Sequence, residues 1–275
     1  MQKRQKMKRI ILSLAATVCI LSALAETAYT TEHDISYRSD ATGYARERCT
    51  VDVYHPTDAT SCPMVVWFHG GGLEGGAKEI PTELTDCGMV VVGVNYRLLP
   101  KCTIDDCIDD AAAAIAWAYG NAERFGGSKS KFFVAGHSAG GYLIDMVTLN
   151  KKWLAKYNLD PDSIIAGAFP FSGQCITHFN VRKQKGLQPL QPTIDEYAPL
   201  YWVRGGCPPM IIISGDRNIE IFGRYEEQAY LYRMLKLNGN DNVDLYELQG
   251  HDHGKMMHPA FHILKEHIRK ISNNK

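Results

Sequence analysis

Ten residues constrain this chain more than any others: Phe132-Phe133-Val134-Ala135-Gly136-His137-Ser138-Ala139-Gly140-Gly141. An apolar run breaks at a glycine, a serine follows two positions later, and small residues lead into a helical pattern. That succession predicts a strand, a very tight turn and a helix, with Ser138 at the apex. The G-x-S-x-G spacing has a steric cause. The backbone is strained at such an apex, and side chains at Gly136 or Gly140 would collide with the flanking elements. The turn lifts a serine hydroxyl clear of the sheet, where a base and a substrate can both reach it. A bare G-x-S-x-G also arises by chance, so its weight rests on the surroundings.

Those surroundings alternate strand and helix. Residues 26–47 give a loosely ordered lead-in. Cys49 to Tyr54 alternates β-branched and polar residues and ends at Pro56, the pattern of an early antiparallel strand. Met64-Val65-Val66-Trp67-Phe68 and Met89 to Val94 are continuous apolar runs, suited to a sheet buried on both faces. A helix is predicted from about Asp105 to Tyr119, with acids in its first turn, and another from Ser138 to about Leu149. Ile164 to Phe171, Met210 to Ile213 and Val243 to Leu248 give three further strands. Helices follow over Tyr225 to Leu237 and from Pro259 onward. Strands and helices at this spacing predict an α/β fold, a doubly wound, mostly parallel sheet with helices on both faces. We expect one domain over residues 26–275. Within it, residues of about 174–208 hold several prolines and no sustained period, and are expected to form a lid or pocket wall.

The first 25 residues have another character. Lys3, Arg4, Lys6, Lys8 and Arg9 form a basic head, Ile10 to Leu24 carry no charge, and Ala23-Leu24-Ala25 supplies a small-x-small cleavage pattern. The apolar stretch of about 15 residues falls short of the roughly 20 that span a bilayer, so the expectation is a cleaved signal peptide and a secreted or periplasmic protein with no membrane anchor. Without that leader the chain has 25 basic and 30 acidic residues. The acidic balance, with no basic cluster elsewhere, argues against nucleic acid as a partner. Seven of the eight cysteines lie beyond the leader. Export permits disulfides, and Cys102 and Cys107 are close enough in sequence to pair. The expectation is mostly buried thiols with one or two bridges. Their C-x₄-C spacing, with no histidine nearby, gives no zinc site, and no metal is expected.

Ser138 needs a base, because an ordinary hydroxyl is a poor nucleophile near neutral pH. Attack on a carbonyl also needs donors for the oxyanion. The backbone N–H groups of Ala139, Gly71 and Gly72 are the candidates, since glycines after a strand let amides point into a cleft unobstructed. His251, His253 and His258 stand late in the chain, after the last strand. Asp109 and Asp110 are adjacent on a helix and cannot converge on one ligand. Asp110 and Arg97 are therefore expected to brace the fold, and His69 and His137 to play structural parts.

With these residues in view, the chain resembles an α/β-hydrolase of the esterase branch, which includes hormone-sensitive-lipase-like esterases and the feruloyl and acetyl-xylan carbohydrate esterases. The likeness rests on His69-Gly70-Gly71-Gly72, Asn95-Tyr96-Arg97-Leu98, the Asp110-Ala111 helix, Gly136-His137-Ser138-Ala139-Gly140-Gly141 and Gly250-His251-Asp252-His253-Gly254. It implies the chain order nucleophile, acid, histidine, with His253 before Gly254 as the base. It also places an acid three residues after the glycine that ends the seventh strand. Here that glycine is Gly215 and the position holds Asn218, which carries no charge. Asp216 and Glu220 flank it. Asp216 is preferred because it sits at the carboxyl end of the strand, and Glu220 is the alternative. The resemblance implies a secreted serine esterase acting through an acyl-enzyme, with no cofactor, on a small-molecule or polysaccharide-linked ester of acetyl or feruloyl type. A lipase or peptidase-like hydrolase on the same fold, and an inactive binding protein, are the alternatives.

Overall fold

The computed structural model of the protein describes residues 27–273. The expected leader over residues 1–25 lies outside the described residues. One eight-stranded sheet runs through them, built from β1 (Tyr29–Ser36), β2 (Thr50–Pro56), β3 (Cys62–Phe68), β4 (Val90–Val94), β5 (Gly127–His137), β6 (Gly167–Phe171), β7 (Met210–Gly215) and β8 (Val243–Leu248). The order across the sheet is β1-β2-β4-β3-β5-β6-β7-β8. The first two strands run antiparallel, and β3 to β8 are parallel.

The uninterrupted apolar strands follow from burial on both faces. Along β3, Met64, Val66 and Phe68 enter one core, while Val65 and Trp67 enter the other. Strands β4 and β5 divide the same way. Helices α1 (Ile104–Asn121), α2 (Ala139–Leu149) and α4 (Arg224–Leu237) cover the first face. Helix α5 (Met257–Asn273) covers the second with Ala260, Phe261, Leu264 and Ile268. A short helix α3 (Phe179–Gln184) lies in the expected lid segment. Burying each large apolar side chain contributes about 1.5–3 kcal/mol, so two such cores hold the sheet firmly.

Two expectations are corrected. Among the described residues, the lead-in expected over 26–47 holds the edge strand β1 and a helical turn at Gly43–Arg48. Its sequence, Tyr-Thr-Thr-Glu-His-Asp-Ile-Ser, is polar because an edge strand buries little. Pairing with β2 and stacking of Tyr29 on Tyr54, centroids 4.9 Å apart, hold it. The cysteines of the described residues are all free thiols, most of them buried. Cys102 and Cys107 do meet, Sγ to Sγ 3.5 Å, without a bond.

The order β4-β3-β5 reverses direction across the sheet, and at such a switch point the carboxyl ends of neighbouring strands open a crevice. Phe68, at the end of β3, is in register with Gly136 of β5. The glycine loop after β3 and the serine turn after β5 therefore share one crevice.

Candidate active site

Ser138 holds φ 54° and ψ −112°, a backbone conformation that costs a side-chain-bearing residue energy. Neighbours over-determine it. Its N–H donates to the Phe171 carbonyl at 2.8 Å, and its carbonyl accepts from the Tyr142 N–H at 2.9 Å. A Cβ at Gly140 would stand 2.0 Å from the Phe68 oxygen, and one at Gly136 2.6 Å from the Gly140 carbonyl carbon. These are the collisions that G-x-S-x-G avoids.

His253, on the loop after β8, faces the serine with Nε2 2.9 Å from Ser138 Oγ. Its Nδ1 lies 2.7 Å from Glu220 Oε1. The acid at this position is Glu220, and the preference for Asp216 is corrected. Asp216 turns away and pins the loop: one carboxylate oxygen accepts from the Gly250 N–H at 2.8 Å, the other from the Asn218 backbone and side-chain amides. After Asp216 the chain makes one helical turn, in which the Glu220 N–H donates to the Asp216 carbonyl at 2.8 Å. That turn swings Glu220 back beneath Gly215, where its extra methylene gives the reach. Gly215 has no side chain to block it, since a Cβ there would stand 2.7 Å from Glu220 Oε2. Among the described residues Asn218 bonds to Asp216 within its own turn, so its lack of charge leaves the site intact.

The Glu220 side chain is 1% exposed. Burial pushes its carboxyl up, but the His253 ring, the Ile221 N–H and the Ser172 hydroxyl outweigh burial and bring it to about 2. Glu220 is therefore an anion aimed at the far nitrogen of the histidine, able to fix its tautomer and stabilise an imidazolium. Ser172, at the end of β6, touches both partners: its Oγ is 2.8 Å from Glu220 Oε2 and 2.9 Å from His253 Nδ1. Residue types alone gave it no role. The available signal was its place at the carboxyl end of a parallel strand.

The other histidines have separate work. His137 Nε2 donates to the His253 carbonyl at 2.8 Å, holding the histidine loop against the serine turn. Burial, aided by the neighbouring His253 ring, lowers His137 to about 3 and keeps it neutral. His69 donates from Nδ1 to the Gly70 carbonyl at 2.6 Å and stacks on Tyr96, whose hydroxyl donates to the His69 carbonyl. His251 meets the Gln249 carbonyl, and His258 pairs with Glu83. Arg97 braces α1 through Asp110 and Asp106, as expected.

The glycine loop borders the nucleophile: a Cβ at Gly70 would lie 3.4 Å from Ser138 Cβ. Gly71 and Gly72 both have positive φ, 112° and 66°. The Asn180 amide, from α3, donates to the Gly72 carbonyl at 2.6 Å and ties the loop to that helix. Ala139 opens α2, where the first N–H groups have no intrahelical acceptor. Beside this loop, Phe179, Arg182, Pro189, Leu190 and Phe222 line a cavity of about 390 Å³. Leu190 and Phe222 on its rim are largely exposed.

Sheet order, serine turn and histidine–acid pair are together those of the α/β-hydrolase fold. Its sequence likeness runs to the esterase branch. Residues 51–172 match the BD-FAE family. Esterase LipC of Mycobacterium tuberculosis is 26% identical over 228 residues, 74% of this chain and 56% of that protein. A probable isoprenylcysteine alpha-carbonyl methylesterase of Oryza sativa is 31% identical over 109 residues, 38% of this chain and 26% of the relative. The chain thus spans about half, or less, of the length of these curated relatives. Among solved structures, a truncated carbohydrate esterase from gut microbiota superposes with a TM-score of 0.73 at 16% identity, covering 91% of this chain and 99% of that one. A butyrate-bound esterase of Thermogutta terrifontis gives 0.67 at 21% identity, covering 88% and 94%.

Proposed function

We propose that the protein is a serine carboxylic-ester hydrolase. One observation carries the reading: an unbroken relay from Ser138 Oγ through the His253 ring to the buried Glu220 carboxylate, with steps of 2.9 and 2.7 Å. Ser138 Oγ attacks the ester carbonyl carbon as its proton passes to His253 Nε2. Glu220, accepting from Nδ1–H, stabilises the imidazolium. The amides of Ala139, Gly71 and Gly72 hold the oxyanion, and removing one such donor typically costs about 10²–10³ in rate. The alcohol leaves with the proton from Nε2, and water then hydrolyses the acyl-enzyme by the same route in reverse.

The mature enzyme would hydrolyse p-nitrophenyl acetate, and Ser138→Ala would abolish the activity. Equal rates would refute the assignment. Esterase 2 of Thermogutta terrifontis is phosphorylated by paraoxon. The same agent should block this protein and leave its phosphoryl group on Ser138. No reaction at Ser138 would favour a binding protein.

For the substrate, the match to the BD-FAE family and the likeness to a carbohydrate esterase support an acetyl or feruloyl group on a polysaccharide. The apolar cavity beside Gly72 would take the larger organic part of the ester. Acetate release from acetylated xylan, with none from tributyrin emulsion, is the expected outcome; the reverse would make it a lipase. The leader residues 1–25 support export, which mass spectrometry of protein secreted from an expressing bacterium would check through a new N-terminus at Glu26.

A further inference from the structure

We propose that Ser172 is a positioning residue for the histidine–acid pair, locking the Glu220 carboxylate and the His253 ring in one geometry. The proposal rests on the esterase reading and adds a fourth residue to its machinery.

The hydroxyl has one proton to give. Glu220 Oε1 takes the His253 Nδ1–H at 2.7 Å, so the Ser172 hydroxyl donates to the other carboxylate oxygen, Oε2, at 2.8 Å. Its own oxygen then faces Nδ1–H at 2.9 Å as a second acceptor. Carboxylate, imidazole and hydroxyl close a small ring of three contacts. Within that ring neither the carboxylate nor the imidazole can rotate without breaking a bond.

The need for such a lock follows from the acid's identity. A glutamate side chain has one more torsion than an aspartate, so a Glu220 held at Oε1 alone could swing away from the ring. The Gly215 N–H also reaches Oε2, but at 3.2 Å, and the Ile221 N–H holds Oε1 at 2.9 Å. Ser172 is the partner that joins the carboxylate to the imidazole.

The backbone around Ser172 is held in place for this. Its φ is 46°, left-handed, where a glycine would sit without strain. Its N–H donates to the Ile213 carbonyl at 2.7 Å, and its carbonyl accepts from the guanidinium of Arg224, itself 2% exposed. A buried arginine and a strained residue both serve to aim one fully buried hydroxyl. Glycine would relax the turn and remove the hydroxyl with its Cβ, while alanine keeps the Cβ and the strain, so the pair separates the two roles by experiment.

The test compares wild type, Ser172→Ala and Ser172→Gly with p-nitrophenyl acetate. Loss of a hydrogen bond to a charged group predicts a fall in kcat of roughly 10- to 100-fold, with KM within about twofold. Ser172→Gly should melt no lower than Ser172→Ala, because its backbone strain is relieved. In a Glu220→Gln background, Ser172→Ala should cost less than about threefold, since the two residues act as one unit. By proton NMR, the far-downfield His253 Nδ1–H resonance of wild type should move and broaden in Ser172→Ala. A Ser172→Gly variant with wild-type kcat and an unmoved imidazole resonance would overturn the proposal. The resonance reads the lock even where no ester is turned over, so a wild type inert to ester and paraoxon would refute the esterase reading and leave this measurement decisive for Ser172.

Discussion

At the scale of single residues, charge placement decides which carboxylate serves His253. Glu220 is buried, ionised and 2.7 Å from Nδ1, while Asp216 spends both oxygens on loop amides. Glu220→Gln should therefore lower kcat for p-nitrophenyl acetate by about 10³–10⁴-fold, the scale of losing the tautomer-fixing anion in a serine triad. Asp216→Asn should change kcat by less than about tenfold, since it only pins the turn. The reverse ranking would restore Asp216 as the acid. Ser138 was legible because its strand–turn–helix is local and the glycine spacing marks where side chains would collide, and His253 because the resemblance singles out the late histidine before a glycine. The acid was not, because Asp216 and Glu220 share one loop, and the helical turn that selects between them is invisible in residue types. Gly215 carried the available hint, a glycine on which a carboxylate rests.

At the scale of elements, α1 is fixed to the sheet by charge as well as by its alanine face. A capping box of Thr103 and Asp106 starts it, and Asp110, fully buried, receives both Arg97 and Arg38. Removing it takes one carboxylate from two guanidinium groups that keep Asp109 and Asp106, so Asp110→Ala should cost about 1.5–3 kcal/mol of stability, read from urea unfolding. Paraoxon labelling of the molecules still folded should be undiminished, because Asp110 is remote from His253 in this network. Cys107 in the first turn of the same helix meets Cys102, just before it, with their sulfurs 3.5 Å apart. Treatment with diamide, a thiol oxidant, should take both thiols to one disulfide as diamide is reduced to its hydrazine, and peptide mapping should find those two residues linked. Both thiols remaining free under excess diamide would show that the loop cannot bring them closer. Among the elements, buried strands were easy to see because apolar runs mark them. Edge strand β1 was missed because, with one neighbour and little burial, it needs no apolar code.

At the scale of the whole molecule, the site's protonation is tied to folding. Glu220 titrates near 2 when folded, below its ordinary 4.5, so its contribution is present above about 4.5 and lost as pH falls towards 2. His137 and His69 are lowered from 6.5 to about 3 and about 4, chiefly by burial. Unfolding lets each take a proton it refuses when folded, so stability falls with pH below about 6.5. All three act in one direction. The urea midpoint should decline from about pH 6.5 downward and steepen below about 4.5, and His137→Phe should flatten the upper part of that decline. A midpoint constant between pH 7 and 4 would contradict the burial of these rings. Sequence by itself determined the alternation of strand and helix, the serine at its elbow, the glycine loop and the late histidine. The strands are written in burial pattern, the elbow and glycine loop in glycine spacing, and the histidine in the His-Gly pattern of the family the chain resembles. Tertiary structure alone decided that Glu220 meets His253, that Ser172 joins the two, and that His137 braces the histidine loop. Those contacts join strand ends 33 to 116 residues apart along the chain, and only the packing of the sheet sets their distances.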